Sequence, residues 1–467
     1  MKKIVLLVTL IGVFSACKKN NNSTPANNNT TTSALDSEQY GTPFTGVPDA
    51  KDIVMYEVNI RNFSASDNFA GVEARMDSIK ALGVNVIWLM PIYPVGQLKS
   101  VNSPYCVQND TAVNTEFGTL GDLRNFVSMA HTAGMAVILD WVSDGTSWDN
   151  VWIPNTSWYN TNSSGIIQEY STTYGTYSDI AGLNYSNANM EAAQIRAMEF
   201  WLLQANVDGF RCDNADSEPD AFWTTAISSI ESLNHKLILL AEGSKTSHFT
   251  SGFQMLYDWT YFTALGNVFD GGFSAQSLAS TNTAQNSNTT SGTFMLRFIS
   301  NHDEDLDTGT PDELFGGSTA SQNGALAAFV VAATQGGVPL IYDGQEVDNN
   351  TKLNFFGTTT QINWSANNSI SGAYEQIIAY RNANDAIREG TITDYSSANI
   401  AAFERTITGN TALVLVNVRN AAQTFTVPAA LANTTWTNAV TNTTVTLGAS
   451  GTTVSLSAYQ YMLLTQQ

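Results

Sequence analysis

Short, almost continuously apolar runs recur along the middle of the chain and alternate with segments of helical periodicity. Between Asp52 and about Glu389, eight runs have the length and composition of buried strands, namely Val54–Val58, Val84–Met90, Ala136–Val142, Val207–Asp213, Leu237–Glu242, Met255–Trp259, Phe294–Ser300 and Val338–Tyr342. Apolar runs without polar alternation are typical of parallel strands that are covered on both faces. The pattern therefore predicts a parallel sheet.

Helical segments lie between these runs. Phe69–Leu82 and Gly121–Ala133 are each followed by a glycine that suits a helix end, and Asn189–Asn206 and Glu218–Asn234 have the same character. Eight strands that alternate with helices predict an α/β fold, a (β/α)₈ TIM barrel with insertions. A doubly wound open sheet is the alternative, but no GxGxxG turn follows the first strand.

The pattern changes after Gly390. Short Thr- and Val-rich segments, separated by turn residues, predict a C-terminal antiparallel β-sandwich domain over residues 390–467. The barrel domain is then expected over residues 46–389. We interpret the β domain as a cap that stabilises the barrel, with an independent binding module as the alternative.

The N-terminus has the pattern of a secretory signal. Lys2 and Lys3 precede the apolar run Ile4–Phe14, and small residues lead to Cys17. This arrangement resembles a bacterial lipoprotein signal, which implies a signal peptide over 1–17, a lipid anchor at Cys17 and an outer-membrane location, on the periplasmic face or the cell surface. A signal peptide with a coincidental cysteine is the alternative. Residues 18–45 are polar and predict a disordered tether.

Composition narrows the classes of function. The chain has 41 acidic and 20 basic residues and a formal net charge of −21, which disfavours binding to nucleic acid. Its four histidines do not have metal-ligand spacing, so a zinc site is not expected. A disulfide between Cys106 and Cys212 is conceivable in an oxidising compartment. Strand alternation places Cys212 opposite Asp213, however, and favours two free, buried thiols.

Ionisable residues gather where the predicted strands end, at Asp140, Arg211, Asp213, Glu242, His302 and Asp303. Catalytic residues of such barrels lie at the carboxyl ends of the strands. A single acid at one of these ends is explained by a structural ion pair, because an unpaired carboxylate there would be costly. Several acids that converge on one rim instead predict an active site.

Converging carboxylates without a metal cluster suit glycoside hydrolysis, in which one carboxylate attacks the anomeric carbon and another protonates the leaving oxygen. Asp213 is expected to stay ionised beside Arg211, as a nucleophile requires. Glu242 follows the apolar run LILLA, a setting that favours a protonated carboxyl and suits a general acid/base.

The same segments resemble the conserved regions of the α-amylase family of glycoside hydrolases, in order and spacing, over nearly all of the chain after the tether. The matching segments include YEVNIRNF, GVNVIWLMPIYPVG, AVNTEFGTLGDL and PLIYDGQE. The resemblance implies that Asp213 is the nucleophile, Glu242 the general acid/base and Asp303 the third acid that holds the sugar. It also implies that Arg211 orients the nucleophile, His302 contacts sugar hydroxyls, Tyr105 stacks on the sugar and Asp140 is a partly structural acid of the substrate site. Residues from about 143 to 185 correspond to the family's small inserted domain.

The chain departs from the family at five positions. Asp144 and Gly145 stand where Asn-His is usual, Asp216 and Ser217 stand where Lys-His is usual, and Gly182 replaces an Asp. The resemblance implies that Asp144, Gly182 and Ser217 stand at the Asn, Asp and His of the family's calcium site, and that the sugar-contacting histidine is absent at Gly145. Hard cations need several oxygen ligands. We therefore expect no required cofactor and a degenerate calcium site, with Asp144 and Asp216 as candidates for a rearranged one.

Together these features predict a retaining hydrolase of starch-like α-glucans or maltooligosaccharides. Other proteins of glycan uptake are candidate partners. The changes at Gly145, Asp216 and Ser217 leave open a catalytically impaired, glucan-binding lipoprotein. A transglycosylase with the same chemistry is the third hypothesis.

Overall fold

The structure is a computed structural model that describes residues 38–172, 175–233, 235–316 and 321–466. The predicted signal peptide, Cys17 and the tether up to residue 37 lie outside the described residues and stay predictions. Within the described ranges, no helix combines the length and apolar character needed to cross a bilayer.

The strands of the described residues form four sheets. In chain order they are β1 (Met55–Val58), β2 (Val86–Leu89), β3 (Ala136–Val142), β4 (Gly145–Ser147), β5 (Glu169–Thr172), β6 (Gly175–Gly182), β7 (Gly209–Asp213), β8 (Ile238–Ala241), β9 (Met255–Tyr257), β10 (Phe294–Arg297), β11 (Val338–Tyr342), β12 (Thr391–Asp394), β13 (Ile400–Ile407), β14 (Asn410–Asn417), β15 (Gln423–Thr426), β16 (Thr435–Asn438), β17 (Thr443–Thr446), β18 (Thr453–Leu456) and β19 (Tyr461–Gln466).

The α-helices of the same residues are α1 (Ile60–Phe63), α2 (Phe69–Glu73), α3 (Met76–Ala81), α4 (Leu120–Thr132), α5 (Ala188–Ala205), α6 (Asp220–Glu231), α7 (Ser247–Ser251), α8 (Trp259–Phe269), α9 (Gln276–Asn286), α10 (His302–Asp307), α11 (Pro311–Phe315), α12 (Gln322–Thr334), α13 (Asn368–Ala383) and α14 (Asp385–Glu389). The single helix predicted over Phe69–Leu82 is wrong. It is interrupted between α2 and α3, where the Arg75 guanidinium lies 3.8 Å from the centre of the Trp364 ring.

Eight parallel strands close a barrel in the order β1, β2, β3, β7, β8, β9, β10 and β11, and β11 pairs with β1. The predicted (β/α)₈ barrel is therefore confirmed, and the open doubly wound sheet is excluded. Alternate residues of the strands fill the interior or pack against the helices, so both faces are buried. Cys106 and Cys212 are free, buried thiols.

A small sheet interrupts the alternation between β3 and α5. Strands β4, β5 and β6 pair antiparallel in the order β4–β6–β5, and Gly145 lies opposite Gly182. This insertion has a small core of its own that includes Tyr159 and Leu183. It rises from the carboxyl end of β3, next to the predicted site.

The C-terminal strands form one six-stranded antiparallel sheet and one two-stranded sheet that share an apolar core. The Tyr380 hydroxyl of α13 donates to the Leu464 carbonyl at 2.9 Å, and Arg405 Nη1 donates to the Gln335 carbonyl at 2.7 Å. These contacts join the sheet to the barrel helices and support its interpretation as a stabilising cap.

Candidate active site

Strand β7 places Arg211 and Asp213 on one face, as two-residue alternation requires. Arg211 has no exposed surface, and its Nη1 donates to Asp213 Oδ1 at 2.6 Å and to Asp140 Oδ1 at 2.7 Å. Its Nη2 forms an ion pair with Glu242 Oε2 at 2.9 Å. One buried guanidinium thus gathers predicted site residues from the ends of β3, β7 and β8.

Glu242 directly follows β8, and its surroundings differ from the sequence expectation. Besides the Arg211 ion pair, Oε2 accepts a hydrogen bond from the backbone N–H of Asn214 at 2.7 Å. The expected apolar setting is therefore wrong. The sequence conceals this polar environment because Asn214 reaches Glu242 through a turn with a left-handed backbone, at φ 44°.

His302 begins α10 and connects three other residues of the site. Its Nδ1 lies 2.6 Å from Glu57 Oε1, its Nε2 lies 2.7 Å from the Tyr105 hydroxyl, and Nε2 is 3.4 Å from Asp303 Oδ2. Burial lowers the pKa of His302, but the charges of Asp303 and Glu57 outweigh it and raise this pKa to about 9. His302 is therefore an imidazolium at neutral pH. We call Glu57, Tyr105, His302 and Asp303 the His302 network.

Tyr105 and Asp140 link this network to Arg211. The Tyr105 ring stacks on His302 with centroids 5.5 Å apart, and its hydroxyl lies 3.1 Å from Asp140 Oδ2. Asp140 has no exposed surface and also accepts from Trp88 Nε1 at 3.2 Å. The prediction that Asp140 contacts substrate is corrected, because its carboxylate is enclosed by protein donors. The Asp140 carboxylate instead holds Arg211 and Tyr105 in place through hydrogen bonds.

The three predicted catalytic acids are more exposed to solvent than the residues that hold them in place. Asp213 is 16% exposed, Glu242 18% and Asp303 43%, whereas Arg211 and Asp140 are fully enclosed. The acids therefore reach solvent at the same rim of the barrel. A saccharide can approach them, while the charges that orient them stay buried.

Burial and mutual repulsion dominate the electrostatics of these acids. Burial raises the pKa of Asp213 well above its ordinary value, Arg211 opposes that effect, and the charges of Glu242 and Asp144 add to it. Burial also raises the pKa of Asp303, against the influence of His302. The expectation that the neighbouring Arg211 favours the ionised form of Asp213 is therefore corrected, because burial outweighs Arg211 and the net shift of this pKa is upward. Without substrate, Asp213 and Asp303 therefore hold their protons at higher pH than isolated carboxyls do.

Sequence reasoning missed two residues of the site, Glu57 and Tyr170. Glu57 interrupts the apolar strand β1 one position before its end, a pattern similar to that which identified the other acids. Tyr170 lies in the polar strand β5, and its hydroxyl contacts Asn214 and Ser217, which are 44 and 47 residues away. Nothing in the local pattern around Tyr170 indicates those contacts.

Gly145, where the family usually has a histidine, does not leave a gap. A Cβ at this position would lie 2.2 Å from Ile180 Cγ2 and 2.9 Å from the Ala181 carbonyl oxygen. Strand β6 of the insertion therefore occupies the space that a side chain would need.

The residues at the family's calcium positions do not fit a calcium ion. Gly182 has no side-chain oxygen, and a Cβ there would lie 3.3 Å from Tyr170 Cα. The Asp144 and Ser217 side chains are engaged with Asn214 and Tyr170, respectively. In the ranges that the structure describes, no group of three or more His, Cys, Asp or Glu residues is placed to hold a metal ion.

Asp216, the other candidate for a rearranged cation site, is saturated by protein donors. Its Oδ2 accepts from the backbone N–H and hydroxyl of Ser244, both at 2.9 Å, and its Oδ1 lies 2.8 Å from His248 Nε2 and 3.2 Å from Lys245 N. The carboxylate instead joins the turn after β7 to the loop after β8.

The chain is similar to known proteins of one family. Residues 59–165 match the family model for the α-amylase catalytic domain. The α-amylase MalA of Haloarcula japonica is 26% identical over 418 residues, which cover 84% of this chain and 59% of MalA. These similarities support membership of the α-amylase family.

A second relative has the name of a maltosyltransferase. The α-1,4-glucan:maltose-1-phosphate maltosyltransferase of Rhodospirillum rubrum is 30% identical over 195 residues, which cover 37% of this chain and 28% of that enzyme. The chain thus spans less than two thirds of the length of both relatives. The crystal structure of an α-amylase from Lactobacillus plantarum has the same fold, with a TM-score of 0.79, 23% identity, and coverage of 90% of this chain and 99% of that one.

Proposed function

We propose that the protein is a retaining glycoside hydrolase that cleaves α-glucosidic bonds in starch-like α-glucans or maltooligosaccharides. The observation that carries the proposal is the placement of two partly exposed carboxylates, Asp213 and Glu242, on the two terminal nitrogens of the buried Arg211 guanidinium. Two acids held this way face one space, as double displacement at a single anomeric carbon requires. The name of MalA supports an α-glucan as the substrate.

The mechanism assigns one role to each carboxyl. Asp213 attacks the anomeric carbon while protonated Glu242 gives its proton to the departing glycosidic oxygen, so a covalent glycosyl ester forms as the glycosidic bond breaks. Glu242, now ionised, takes a proton from water, and that water displaces Asp213 from the sugar. Each half reaction inverts the anomeric carbon, and the net result is retention.

The negative charge of the carboxylates stabilises the transition state. Positive charge develops on the sugar ring between Asp213 and Asp303, in a site whose dipoles are already fixed. Arg211 lies behind Asp213 and orients it without contacting the sugar. The partly exposed Tyr105 ring forms the adjoining wall and suits a sugar face, while the buried His302 holds that ring in place through its contacts with Tyr105 and Glu57.

Glycosyl transfer is the second candidate function. The same ester intermediate gives transfer when a sugar hydroxyl, rather than water, attacks it. The similarity to a maltosyltransferase favours keeping this hypothesis. Glucan binding without catalysis is the third, since Gly145 and the Asp216–Ser217 pair depart from the family pattern.

The test is the release of reducing sugar from maltooligosaccharides and pullulan by the wild type, Glu242→Gln and Glu199→Gln. Glu199 is a matched control, because it is a buried glutamate on α5 that accepts from the Ser229 hydroxyl, in the helical layer. We expect Glu242→Gln to lose about 10²- to 10⁴-fold in kcat and Glu199→Gln to keep wild-type activity.

Equal rates for the wild type and Glu242→Gln would contradict the assignment. A wild type that binds maltooligosaccharides but releases no sugar would favour the binding protein. Products that lengthen when an acceptor sugar is added would favour transfer.

A further inference from the structure

Tyr170, on strand β5 of the insertion, joins the insertion to the turn that follows the nucleophile. Its hydroxyl donates to Ser217 Oγ at 2.7 Å and accepts from Asn214 Nδ2 at 2.7 Å. Asn214 Nδ2 also lies 3.2 Å from Asp144 Oδ2. We call Asp144, Tyr170, Asn214 and Ser217 the Tyr170 hub.

The three residues that stand at the family's calcium-ligand positions, Asp144, Gly182 and Ser217, are all connected to Tyr170. Ser217 accepts from the Tyr170 hydroxyl, and Asp144 shares the Asn214 amide with it. At Gly182, a Cβ would lie 3.3 Å from Tyr170 Cα and 3.6 Å from its ring atom Cδ2. The substitutions therefore form one arrangement, in which the phenol lies among residues that correspond to cation ligands in the family.

The hub also reaches both acids of the proposed reaction through a single residue. Asn214 directly follows Asp213, and its backbone N–H donates to Glu242 Oε2 at 2.7 Å. This N–H points at Glu242 only because Asn214 adopts a left-handed backbone, which costs free energy in residues other than glycine. The hydrogen bond from Asn214 Nδ2 to Tyr170 ties the side chain of this residue to the insertion.

We propose that Tyr170 is a positioning residue that takes the place of the family's calcium ion, fixing the turn after Asp213 to the insertion through hydrogen bonds. The effect on turnover rests on the proposed function, whereas the effect on folding does not. Stability and turnover are therefore measured separately.

The experiment compares the full chain with Tyr170→Phe and Tyr159→Phe, each in excess calcium chloride and in excess EDTA. Tyr159 is a matched control, because its hydroxyl also bonds within the insertion, to Thr146 at 2.9 Å, but belongs to no contact with Asn214 or Ser217 in the described residues. Thermal unfolding, kcat and KM on a maltooligosaccharide are recorded for every protein.

We expect neither calcium nor EDTA to change the unfolding midpoint or kcat of the wild type. Tyr170→Phe should lower the midpoint and reduce kcat by about 10- to 100-fold, with KM changed less than about threefold, because a displaced Asn214 misplaces Glu242. Tyr159→Phe should lower the midpoint while it keeps most of kcat.

A wild type that loses stability in EDTA and regains it with calcium would overturn the proposal. A kcat for Tyr170→Phe equal to that of the wild type or of Tyr159→Phe would do the same. If the wild type cleaves no α-glucan, the proposed function fails, and the hub is then judged by unfolding alone: a Tyr170→Phe midpoint equal to that of the wild type would overturn it.

Discussion

Two parts of the candidate active site, the His302 network and the Tyr170 hub, are held in place by different forces. The His302 network rests on buried charges, with a fully enclosed Glu57 against an imidazolium. The Tyr170 hub rests mainly on hydrogen bonds between neutral side chains, which link the β5–β6 hairpin of the insertion to the turn after β7. One candidate site thus combines the His302 network, which depends on buried charge, with the Tyr170 hub, whose central residue carries no formal charge.

Loss of one contact should lower the free energy of unfolding more in the His302 network than in the Tyr170 hub. Removing one partner of a buried ion pair leaves an uncompensated charge and costs about 3–5 kcal/mol. Removing one neutral hydrogen bond costs about 0.5–1.5 kcal/mol. The predictions below test this difference, beginning with the largest effect.

Glu57→Gln should produce the largest loss of stability. We expect the free energy of unfolding to fall by about 3 kcal/mol near neutral pH, since the His302 imidazolium loses its enclosed counter-charge. The pKa of His302 should fall below its wild-type value of about 9, because Glu57 is one of the charges that raise it. Denaturant unfolding and NMR titration of the histidines measure the two effects, and Glu199→Gln is the control for both.

The pH dependence of stability gives a second measure of the same charge. The pKa of His302 is raised above the value near 6.5 expected when unfolded, so its contribution to stability is complete below pH 6.5 and is lost as pH rises toward 9. In Glu57→Gln this slope should shrink. An unchanged slope would show that Glu57 does not hold the charge on His302.

Gly145→Ala should have an intermediate effect. Its Cβ would overlap Ile180 Cγ2 and crowd the Ala181 carbonyl, so we expect a loss of about 1–3 kcal/mol. Gly266→Ala, in helix α8 with open space around the added methyl, should be neutral or slightly stabilising. Equal unfolding midpoints for these two variants would show that the insertion does not close the space at Gly145.

Tyr170→Phe should have the smallest effect on stability, and that effect should not vary from pH 7 to 9. Burial raises the pKa of Asp144, the ionisable carboxyl of the hub, to about 6, so this carboxyl is ionised throughout that window. We expect a loss of about 1 kcal/mol at each pH. A loss that shrinks with pH as steeply as that of Glu57→Gln would contradict the neutral description of the hub.

The residues at strand ends were predictable from the sequence for a physical reason. A parallel strand that is buried on both faces is a continuous apolar run, so an acid at its end stands out, as Asp213 and Glu242 do. The same pattern also marks structural acids. Asp258 follows β9 but pairs with Arg297 at 2.9 Å next to helix α8, so strand-end position alone does not identify a catalytic acid.

The rest depends on contacts that no local pattern encodes. Tyr170 lies in a polar hairpin typical of a solvated surface, and its importance comes from Asn214 and Ser217 in another loop. At the break between α2 and α3, likewise, Arg75 packs on the ring of Trp364, which is distant in the sequence. Such tertiary contacts override local periodicity.

The central claim is that Asp213 and Glu242 act in succession on one anomeric carbon. The most direct test is ¹H NMR of the first product released from an α-linked maltooligosaccharide, recorded before mutarotation. Double displacement predicts that the new reducing end appears first as the α-anomer. Initial release of the β-anomer would mean single displacement by water and would contradict the role given to Asp213.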